Sequence, residues 1–293
     1  MTAEINHLPV MREKVVEMLN VKQNGIYVDA TTGLGGHADA VLQRMGSDGR
    51  LIGIDRDDEA LQRAKERLSD SRVTLMQGDF ADMEYLLSAD GIPAVDGVLF
   101  DLGVSSMQLK SPRRGFSFAS DAPLDMRMDR NQKLSAFDIV NRYPEHALEK
   151  IFHEFGEERL ARRIAKAITQ WRERKLIETC AELSRIVEKV YGIRGRIHPA
   201  TRTFQALRIA VNQELAQLTK GLHASMNLLK QGGRICVISY HSLEDRIVKH
   251  FLADEAKKKV LRIITKKPIT PAPEELRMNP SSRSAKLRVA EKI

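Results

Sequence analysis

The chain has 293 residues, of which 42% are hydrophobic and 29% are charged. This composition is that of a globular protein with room for one large domain or two smaller ones. No apolar run reaches membrane-spanning length, and Met1–Ile5 lacks the basic and apolar regions of a signal peptide, so we expect neither a membrane protein nor a secreted one. Cys180 and Cys236 lie far apart without CxxC spacing, which predicts a reducing, cytoplasmic location and argues against a disulfide framework or a zinc cluster.

The net charge of +8 is unevenly distributed along the chain. The segment from Arg246 to Ile293 carries thirteen Lys and Arg against five Asp and Glu, so the rest of the chain balances near zero. A localised basic face is typical of a protein that binds a polyanion such as a nucleic acid. A merely solvated surface has the same composition, and the charge alone leaves both interpretations open.

Helical and apolar segments alternate through the first hundred residues. The patterns predict helices over 10–19, 37–45 and 59–68, and strands over 26–28, 50–54, 72–76 and 95–100. Strands that alternate with helices predict an α/β fold, with a parallel sheet and crossover helices.

The alternation stops after the fourth strand. A polar loop rich in Arg, Asp, Ser and Pro occupies 109–130, and loops of this length are usually functional or disordered. Helices are then predicted over 136–141, 144–155, 158–174 and 179–190, followed by a break at Gly192-Ile193-Arg194-Gly195-Arg196 and one long helix over 200–229.

Strand patterns return near the end of the chain, over 234–239, 260–265 and 286–290. They predict that the sheet resumes and ends in an antiparallel hairpin at its edge. We therefore predict a Rossmann-like sheet domain formed by 1–108 and 200–293. It would be interrupted by a loop and helical insertion domain over 109–199.

The turn after the first strand, Gly33-Leu34-Gly35-Gly36-His37, is the most informative feature. A glycine turn lets a ligand approach the backbone closely, and Asp55, at the end of the next strand, can bind both hydroxyls of a ribose. The dinucleotide fingerprint lacks its third glycine here, which favours a nucleoside without phosphates. S-adenosylmethionine is the commonest such ligand on this architecture, and the alternatives are a nicotinamide cofactor or a turn without a ligand.

Polar residues stand at the ends of the predicted strands: Asp29, Asp55, Asp79, Asp101 and Ser239-Tyr240-His241. Ligands of open α/β sheets bind outside the carboxyl ends of the strands, and a buried carboxylate is costly unless it is paired. We expect Phe80 to lie against the adenine ring with Asp79 at its edge, and Asp101 nearest the reacting methyl group. The alternatives are core packing for Phe80 and a turn or helix cap for Asp101.

The long loop interleaves aromatic and charged side chains: Gln108, Arg113, Arg114, Phe116, Phe118, Asp125 and Arg127. This pattern suits an extruded nucleic-acid base that stacks on a ring while arginines bind phosphates. A loop folded over the core with solvated charges is the alternative. His198, at the start of the long helix, could help to hold an anion, although a structural role is the commoner one for a lone histidine.

Several motifs together resemble one family. They are Asn6-His7-Leu8-Pro9-Val10, Asp29-Ala30-Thr31-Thr32-Gly33-Leu34-Gly35-Gly36-His37, Phe100-Asp101-Leu102-Gly103-Val104-Ser105-Ser106, Arg114-Gly115-Phe116-Ser117-Phe118, Pro123-Leu124-Asp125-Met126-Arg127-Met128, His198-Pro199-Ala200-Thr201-Arg202-Thr203-Phe204-Gln205 and Ser239-Tyr240-His241-Ser242-Leu243-Glu244-Asp245-Arg246. Over essentially its whole length the chain resembles the bacterial 16S ribosomal RNA cytosine-N4 methyltransferases, the MraW or RsmH family.

The resemblance implies a class I, Rossmann-like S-adenosylmethionine-dependent methyltransferase sheet with an inserted helical domain for RNA recognition. It implies methylation of the N4 amine of cytosine 1402 in the decoding centre of 16S rRNA. Carried over by position, the methyl-donor contacts are Gly35, Gly36, His37, Asp55, Phe80, Asp101 and Gln108. One departure is that Asp101-Leu102-Gly103-Val104 replaces the Asp/Asn/Ser-Pro-Pro-aromatic motif of many amino methyltransferases, so the N4 target rests on the family likeness alone.

The cytosine amine is a poor nucleophile because its lone pair is delocalised into the ring. A hydrogen-bond acceptor such as Asp101, or Asp125 from the loop, would localise that lone pair, and we expect Asp125 and Arg127 at the mouth of the site. We expect no metal ion and no membrane contact. The expected partner is 16S rRNA or the small ribosomal subunit, bound by a monomer or homodimer; a non-catalytic RNA-binding assembly factor is the alternative.

Overall fold

A computed structural model of the protein describes residues 9–192 and 198–293. The Asn6–Leu8 part of the first motif and the 193–197 part of the predicted break therefore lie outside the described residues. The chain forms two compact units. We call Met1–Gly103 with Leu215–Ile293 the sheet unit, and Val104–Glu214 the insert unit.

The sheet unit contains a seven-stranded sheet in the order β3-β2-β1-β4-β5-β7-β6. Its strands are β1 (Ile26–Asp29), β2 (Arg50–Asp55), β3 (Val73–Gln77), β4 (Val95–Asp101), β5 (Leu229–Ser239), β6 (Leu261–Ile263) and β7 (Lys286–Lys292). The first five strands are parallel, and β7 runs antiparallel to both β5 and β6. The predicted α/β class and the terminal antiparallel hairpin are confirmed.

Helices are numbered in order along the whole chain. Those of the sheet unit are α1 (Arg12–Leu19), α2 (Gly36–Leu42), α3 (Asp58–Arg67), α4 (Met83–Ala89), α11 (Glu214–Leu228, whose first residue is the last of the insert unit), α12 (Ser242–Lys257) and α13 (Pro273–Met278). Single 3-10 turns occupy Phe80–Asp82 and Pro280–Ser284.

Neighbouring residues of the central strands pack into two different apolar clusters. Ile52 and Val98 belong to one cluster, whereas Leu51 and Leu99 belong to the other. Successive side chains of a strand point to opposite faces, so both faces of the sheet are covered. A parallel sheet buried on both faces explains why its strands read as continuous apolar runs in the sequence.

The strand order reverses at β1, with β2 and β3 on one side and β4 and β5 on the other. Asp29, the last residue of β1, pairs with Gly53 of β2 and with Leu99 of β4. Asp55 and Asp101 therefore each lie two residues beyond a pairing partner of Asp29, on either side of it. This is the switch point at which ligands of open α/β sheets bind.

The insert unit is helical and has its own core. Its helices are α5 (Ser106–Lys110), α6 (Ala136–Arg142), α7 (Glu145–Gly156), α8 (Ala161–Arg172), α9 (Cys180–Tyr191) and α10 (Thr201–Asn212). Ser135 and Thr179 start α6 and α9 with capping boxes, each accepting the N–H three residues on. Such caps satisfy backbone donors that a helix leaves open.

The predicted long helix over 200–229 is two helices. Gln213 interrupts it in the left-handed conformation, with φ of 51°. Because Phe204, Leu207 and Val211 of α10 pack in the core of the insert unit, the chain re-enters the sheet unit at Leu215 rather than at the predicted residue 200. No glycine or proline marks the break, so the apolar periodicity alone could not reveal it.

None of the helices in the described part of the chain is both long enough and apolar enough to cross a membrane.

Candidate functional site

The turn that joins β1 to α2 is a backbone cradle. Gly33 and Gly35 have φ of 51° and 77°, values that residues with a Cβ rarely adopt. A Cβ on Gly35 would also come within 2.9 Å of Leu68 Cδ1. The hydroxyl of Thr32 lies within hydrogen-bond distance of the carbonyl oxygens of Asp29 (3.1 Å) and Ile54 (3.2 Å). The turn is therefore fixed to the ends of β1 and β2.

Asp55 lies at the end of β2, where its carboxylate faces this turn. Its Oδ2 accepts the N–H of Gly33 at 2.7 Å, and its Oδ1 accepts the N–H of Asp57 at 2.9 Å. Burial raises the pKa of Asp55, while these two N–H groups oppose the rise. A carboxylate offers about four acceptor positions, so about two remain for the hydroxyls of a ribose.

Behind the turn lies a group of buried polar atoms without partners. Among the described residues, Asp29 Oδ2 and both ring nitrogens of His37 are buried and form no hydrogen bond. His37 Nε2 lies 3.5 Å from Asp101 Oδ2, which is longer than a good hydrogen bond. Unsatisfied buried polar atoms are rare in native proteins, and three of the six found among the described residues belong to Asp29 at the end of β1 and His37 at the start of α2.

Burial raises the pKa of Asp29 to about 6. His37 and the N–H of Thr31 oppose this rise, whereas Asp101 and Asp55 add to it. Since the pKa of an unfolded aspartate is about 3.9, the folded protein holds this proton more tightly. The contribution of Asp29 to stability is therefore most favourable below about pH 4, falls as the pH rises to about 6, and stays low above it.

We expect Asp29→Asn to stabilise the protein at pH 8 and to leave its stability nearly unchanged at pH 4. Asparagine retains the size and the oxygen acceptor of the protonated acid but cannot ionise. A pKa difference of about 2 units corresponds to roughly 3 kcal/mol at pH 8. Urea denaturation of both proteins at the two pH values measures the difference.

Asp70→Asn provides a control of opposite sign. Hydrogen bonds from Arg72 lower the pKa of the half-buried Asp70 to about 2, so this variant should lose stability at pH 8. If Asp29→Asn were instead less stable than the wild type at both pH values, the ionised Asp29 would not be the destabilising form.

Asp101 is held at its backbone and at its side chain. Its N–H donates to Thr31 Oγ1 at 2.7 Å, and its Oδ1 accepts a hydrogen bond from the Tyr240 hydroxyl at 2.7 Å. Sequence reasoning noted Tyr240 at a strand end but assigned it no role. The available signal was position, because β5 ends at the same edge of the sheet as β4.

Asp79 and Phe80 have structural partners in the sheet unit. Asp79 forms an ion pair with Arg56 and accepts the N–H of Ala81 at 2.9 Å. The ring of Phe80 packs edge-on against Phe100 with centroids 5.4 Å apart, and it covers Gly221, where a Cβ would come within 2.6 Å of the ring. The core packing considered for Phe80 is therefore present. The predicted adenine contacts of Phe80 and Asp79 stay predictions, and the Asp79 carboxylate is already engaged.

Gln108 belongs to the insert unit, where it is buried. Its backbone N–H donates to Ser105 Oγ at 3.2 Å, and its Oε1 accepts the N–H of Ser105 at 3.0 Å. This capping box starts α5. The role of Gln108 as a methyl-donor contact stays a prediction.

We expected the aromatic side chains of the loop to stack on a nucleic-acid base. This is wrong for Phe116, which lies in the core of the insert unit. Arg114 is buried too, and it donates to the carbonyl oxygens of Arg127 (3.1 Å) and Met128 (2.8 Å). Phe118 stacks on His198 with ring centroids 4.3 Å apart. A helical unit of this size needs apolar side chains from its loop to complete its core, and the loop supplies them.

Asp125 and Arg127 form a forked ion pair within the loop. Nε and one terminal nitrogen of Arg127 donate to the two carboxylate oxygens at 2.7 and 2.8 Å. The other terminal nitrogen donates to the carbonyl oxygens of Arg130 (3.1 Å) and Gln132 (2.8 Å). Both side chains remain 27% exposed. The pair therefore orders the loop while keeping access to solvent.

The sheet order, the antiparallel β7 between β5 and β6, the glycine turn and Asp55 define a class I S-adenosylmethionine-dependent methyltransferase. The sheet unit fits this donor on two observations. At Gly33 the turn presents open backbone, since the nearest described atom to a Cβ built there is the Thr31 carbonyl oxygen at 3.9 Å, and the Asp55 carboxylate keeps acceptor positions for a ribose.

Comparison with known proteins identifies the family. The sequence profile of the MraW methylase family matches residues 4–293. The chain is 52% identical over 294 residues to ribosomal RNA small subunit methyltransferase H of Persephonella marina, with 99% of this chain and 100% of that protein covered. It is 48% identical to the enzyme of the same name from Caldicellulosiruptor saccharolyticus (98% and 99% covered) and 46% identical to that of Clostridioides difficile (99% and 100% covered). The chain belongs to the MraW methylase family.

Proposed function

We propose that the protein transfers the methyl group of S-adenosylmethionine to the N4 amine of cytosine 1402 in 16S rRNA, in the cytoplasm and on the small ribosomal subunit. Relatives named ribosomal RNA small subunit methyltransferase H, aligned over nearly the full length of both chains, carry this proposal. The site supports it, because an acceptor, Asp101, lies at the switch point beside the glycine turn. Neither alternative, a nicotinamide-dependent oxidoreductase or a non-catalytic assembly factor, has such support.

S-adenosylmethionine supplies an electrophilic methyl group on a sulfonium centre. The chain's own contribution is to bind and align. Asp55 and the turn around Gly33 and Gly35 fix the nucleoside, and alignment of two reactants can remove roughly 7–11 kcal/mol of barrier. Asp101 accepts a hydrogen bond from the amine, which localises the nitrogen lone pair as it attacks. After transfer, the cationic nitrogen loses one proton, for which Asp101 is the proposed first acceptor.

The proposed substrate base must leave its stack before it can react, at a cost of a few kcal/mol. We propose that Asp125 and Arg127 contribute to catalysis from the loop that their ion pair orders. Arg127 keeps the loop in one conformation, and the exposed atoms of Asp125 and Arg127 contact the RNA. Their mutual hydrogen bonds support an ordering role, which the loop needs before it can frame a base.

We further propose that the insert unit recognises RNA through one face of α8 and α9. Arg163 and Trp171 are eight residues apart on α8, and Arg185 and Lys189 are four apart on α9, so each pair shares a helix face. All four are exposed. Lys189 Nζ lies 5.3 Å from the Trp171 ring centroid, and Arg163 donates to the Val190 carbonyl at 3.2 Å. An exposed ring among cations suits a stacked base and its phosphates.

The lysines at 257–267 in the basic C-terminal segment are of two kinds. Lys257 and Lys258 form ion pairs with Asp254 (2.8 Å) and Glu255 (2.7 Å). Lys259, Lys266 and Lys267 are exposed and form no ion pair with any described residue. We propose that the second kind, which we call the unpaired lysines, contributes the RNA binding of this segment.

We expect replacement of the three unpaired lysines by the uncharged residue glutamine to weaken RNA binding and to reduce its salt dependence. Each lost phosphate contact should lower the log–log salt slope by about 0.9 on a duplex and about 0.7 on a single strand. The slope should therefore fall by about 2–3. Binding titrations of an rRNA fragment at several salt concentrations measure it, and the position of the methylated base should not change.

Two further variants make this measurement specific. Arg163→Gln with Lys189→Gln should lower the slope by about 1–2 if α8 and α9 contact RNA. Arg63→Gln with Lys65→Gln, on the exposed face of α3, removes equal charge from a surface without a proposed role and should change little. Equal losses in all variants would indicate a nonspecific effect of net charge instead of a binding surface.

The proposed activity is tested with small ribosomal subunits from a strain that lacks the enzyme. The protein and a methyl donor labelled on its methyl group are incubated with these subunits or with free 16S rRNA, and the modified nucleotide is mapped. Label at N4 of cytosine 1402 is the expected result. RNA binding without retained label would instead identify an assembly factor, and light scattering of the same preparation distinguishes a monomer from a homodimer.

A further inference from the structure

We infer that Tyr240 is a positioning residue for the methyl transfer: its hydroxyl occupies Oδ1 of Asp101 and thereby reserves Oδ2 for the substrate amine. The inference rests on the function proposed above, because it assigns a purpose to the geometry of the proposed acceptor. The two residues are 139 positions apart in the chain and meet at the carboxyl edge of β4 and β5.

The two oxygens of Asp101 have different surroundings. Oδ1 accepts the Tyr240 hydroxyl at 2.7 Å. Among the described residues no donor is hydrogen-bonded to Oδ2, and His37 Nε2 lies 3.5 Å from it. The side chain of Asp101 is 22% exposed, so Oδ2 is reachable. One oxygen is fixed and the other is open to a ligand.

Asp101 is also fixed through its backbone. Its N–H donates to Thr31 Oγ1 at 2.7 Å, and the N–H of the following residue, Leu102, donates to the carbonyl oxygen of Ile238 at 3.0 Å. Without Tyr240 the carboxylate could still rotate about its side-chain bonds. The phenol removes that freedom, which matters because misplacement by about 1 Å can cost on the order of 100-fold in rate.

Tyr240 is itself held in place. Its N–H donates to Oε2 of the buried Glu244 at 2.8 Å, and its ring packs against the apolar cluster on one face of the sheet. Gly103 has φ of 100°, and a Cβ there would lie 3.6 Å from the tyrosine ring. The hydroxyl is therefore presented to Asp101 by a rigid support.

The charges around the phenol keep it a donor. Burial raises the pKa of Tyr240 well above 10, and the carboxylates of Asp101, Glu244 and Glu275 add to this rise. Tyr240 consequently retains its proton over the physiological range and donates it only as a hydrogen bond. The other groups that face Asp101 are His37 on α2, Asp29 at the end of β1 and the Thr31 hydroxyl.

These contacts define what Oδ2 would do in the reaction. As the amine nitrogen bonds to the methyl carbon, the carbon–sulfur bond breaks and its electron pair stays on sulfur. The nitrogen then carries a positive charge and gives one proton to Oδ2, which leaves Asp101 neutral and the methylated base neutral. The hydrogen bond at Oδ1 holds the carboxylate in the orientation that receives this proton.

Tyr240→Phe tests the inference, because phenylalanine keeps the ring and removes only the hydroxyl. We expect kcat for small subunits to fall by about 10- to 100-fold, while KM and the affinity for S-adenosylmethionine change less than about threefold. We also expect the pH–rate profile to change, because the hydrogen bond that the variant removes favours the ionised form of its acceptor.

A matched control is Tyr27→Phe. The Tyr27 hydroxyl also lies in the sheet unit, but it accepts the N–H of Lys22 at 2.6 Å and donates to the carbonyl oxygen of Asn20 at 3.3 Å, so its loss should lower stability without moving the pH profile. A readout independent of turnover is NMR of tyrosine labelled at Cζ. The Tyr240 signal, assigned from its absence in Tyr240→Phe, should titrate at lower pH in Asp101→Asn, since that variant removes the neighbouring negative charge.

The outcomes separate the inference from the proposed function. If the wild type fails to methylate RNA, the proposed function is wrong, whatever the variant does. If the wild type methylates and Tyr240→Phe retains its kcat and pH profile, the positioning role is wrong. A fall in kcat that Tyr27→Phe reproduces with the same loss of melting temperature would also overturn it, because the effect would then be one of stability.

Discussion

Replacement of Asp55 by alanine should weaken the binding of S-adenosylmethionine by at least about 100-fold and leave folding nearly intact. A hydrogen bond to a charged group is worth about 1.5–3 kcal/mol, so two bonds to the ribose hydroxyls amount to roughly 3–6 kcal/mol. A tenfold change in affinity corresponds to about 1.4 kcal/mol. Alanine would also remove the acceptors of the Gly33 and Asp57 N–H groups, but it relieves the burial that raises the pKa of Asp55, so affinity should fall by more than stability.

The ribose contact can be isolated with a second ligand. S-adenosylhomocysteine and its 2′,3′-dideoxy analogue should differ strongly in affinity for the wild type and little for Asp55→Ala, which forms a double-mutant cycle between carboxylate and hydroxyls. Asp58→Ala, an exposed residue of the first turn of α3, is the matched control. If both proteins discriminated the two ligands equally, Asp55 would serve only to close the glycine turn through Gly33.

The second large effect is expected at the loop ion pair. Asp125→Ala and Arg127→Ala should each lower turnover by about 50-fold or more while the affinity for the methyl donor stays within about twofold. The physical reason is loop order, because Arg127 joins Asp125 to the carbonyl oxygens of Arg130 and Gln132. A loop released from these bonds would no longer hold a substrate base within the narrow range that reaction requires.

The double variant shows whether Asp125 and Arg127 act together. If the pair works as one unit, the double variant should lose no more turnover than either single variant. If Asp125 and Arg127 contact RNA independently, their losses should add. Arg130→Ala removes an equal charge from an exposed side chain in the same loop and serves as the control. A parallel loss of melting temperature and donor affinity would show that the pair only braces the fold, and unchanged turnover would reject its role in catalysis.

Local sequence patterns were sufficient to predict where we propose the methyl-donor site. Gly33 and Gly35 adopt the positive φ angles that a tight turn requires, and this freedom belongs to glycine itself. Asp55 and Asp101 were found because apolar runs of β2 and β4 end at them. Both signals depend on residues within a few positions of one another, which is why one sequence reveals them. The terminal antiparallel pair was predicted from the same kind of pattern.

Only the tertiary structure showed which of the candidate side chains are buried in the core and which remain accessible. The sequence pattern suggested that Phe116 and Arg114 contact RNA from a polar loop. In the structure Phe116 packs in the core of the insert unit, and Arg114 donates to two backbone carbonyl groups. The sequence also does not predict the helix break at Gln213. A residue other than glycine adopts the left-handed conformation only when its surroundings in the folded protein favour it. Composition describes what a loop contains, whereas packing determines which of its residues remain available.

The pairing of Tyr240 with Asp101 shows the same division most directly. Each residue could be placed at the end of a strand from its neighbours in the chain. Their hydrogen bond, however, joins positions 139 residues apart and exists only because β4 and β5 are adjacent in the folded sheet. The sequence by itself determined the fold class, the glycine turn and the acidic strand ends, since these follow from local backbone sterics and periodicity. The partners of each carboxylate, and hence its charge and orientation, were decided by contacts that only the folded chain creates.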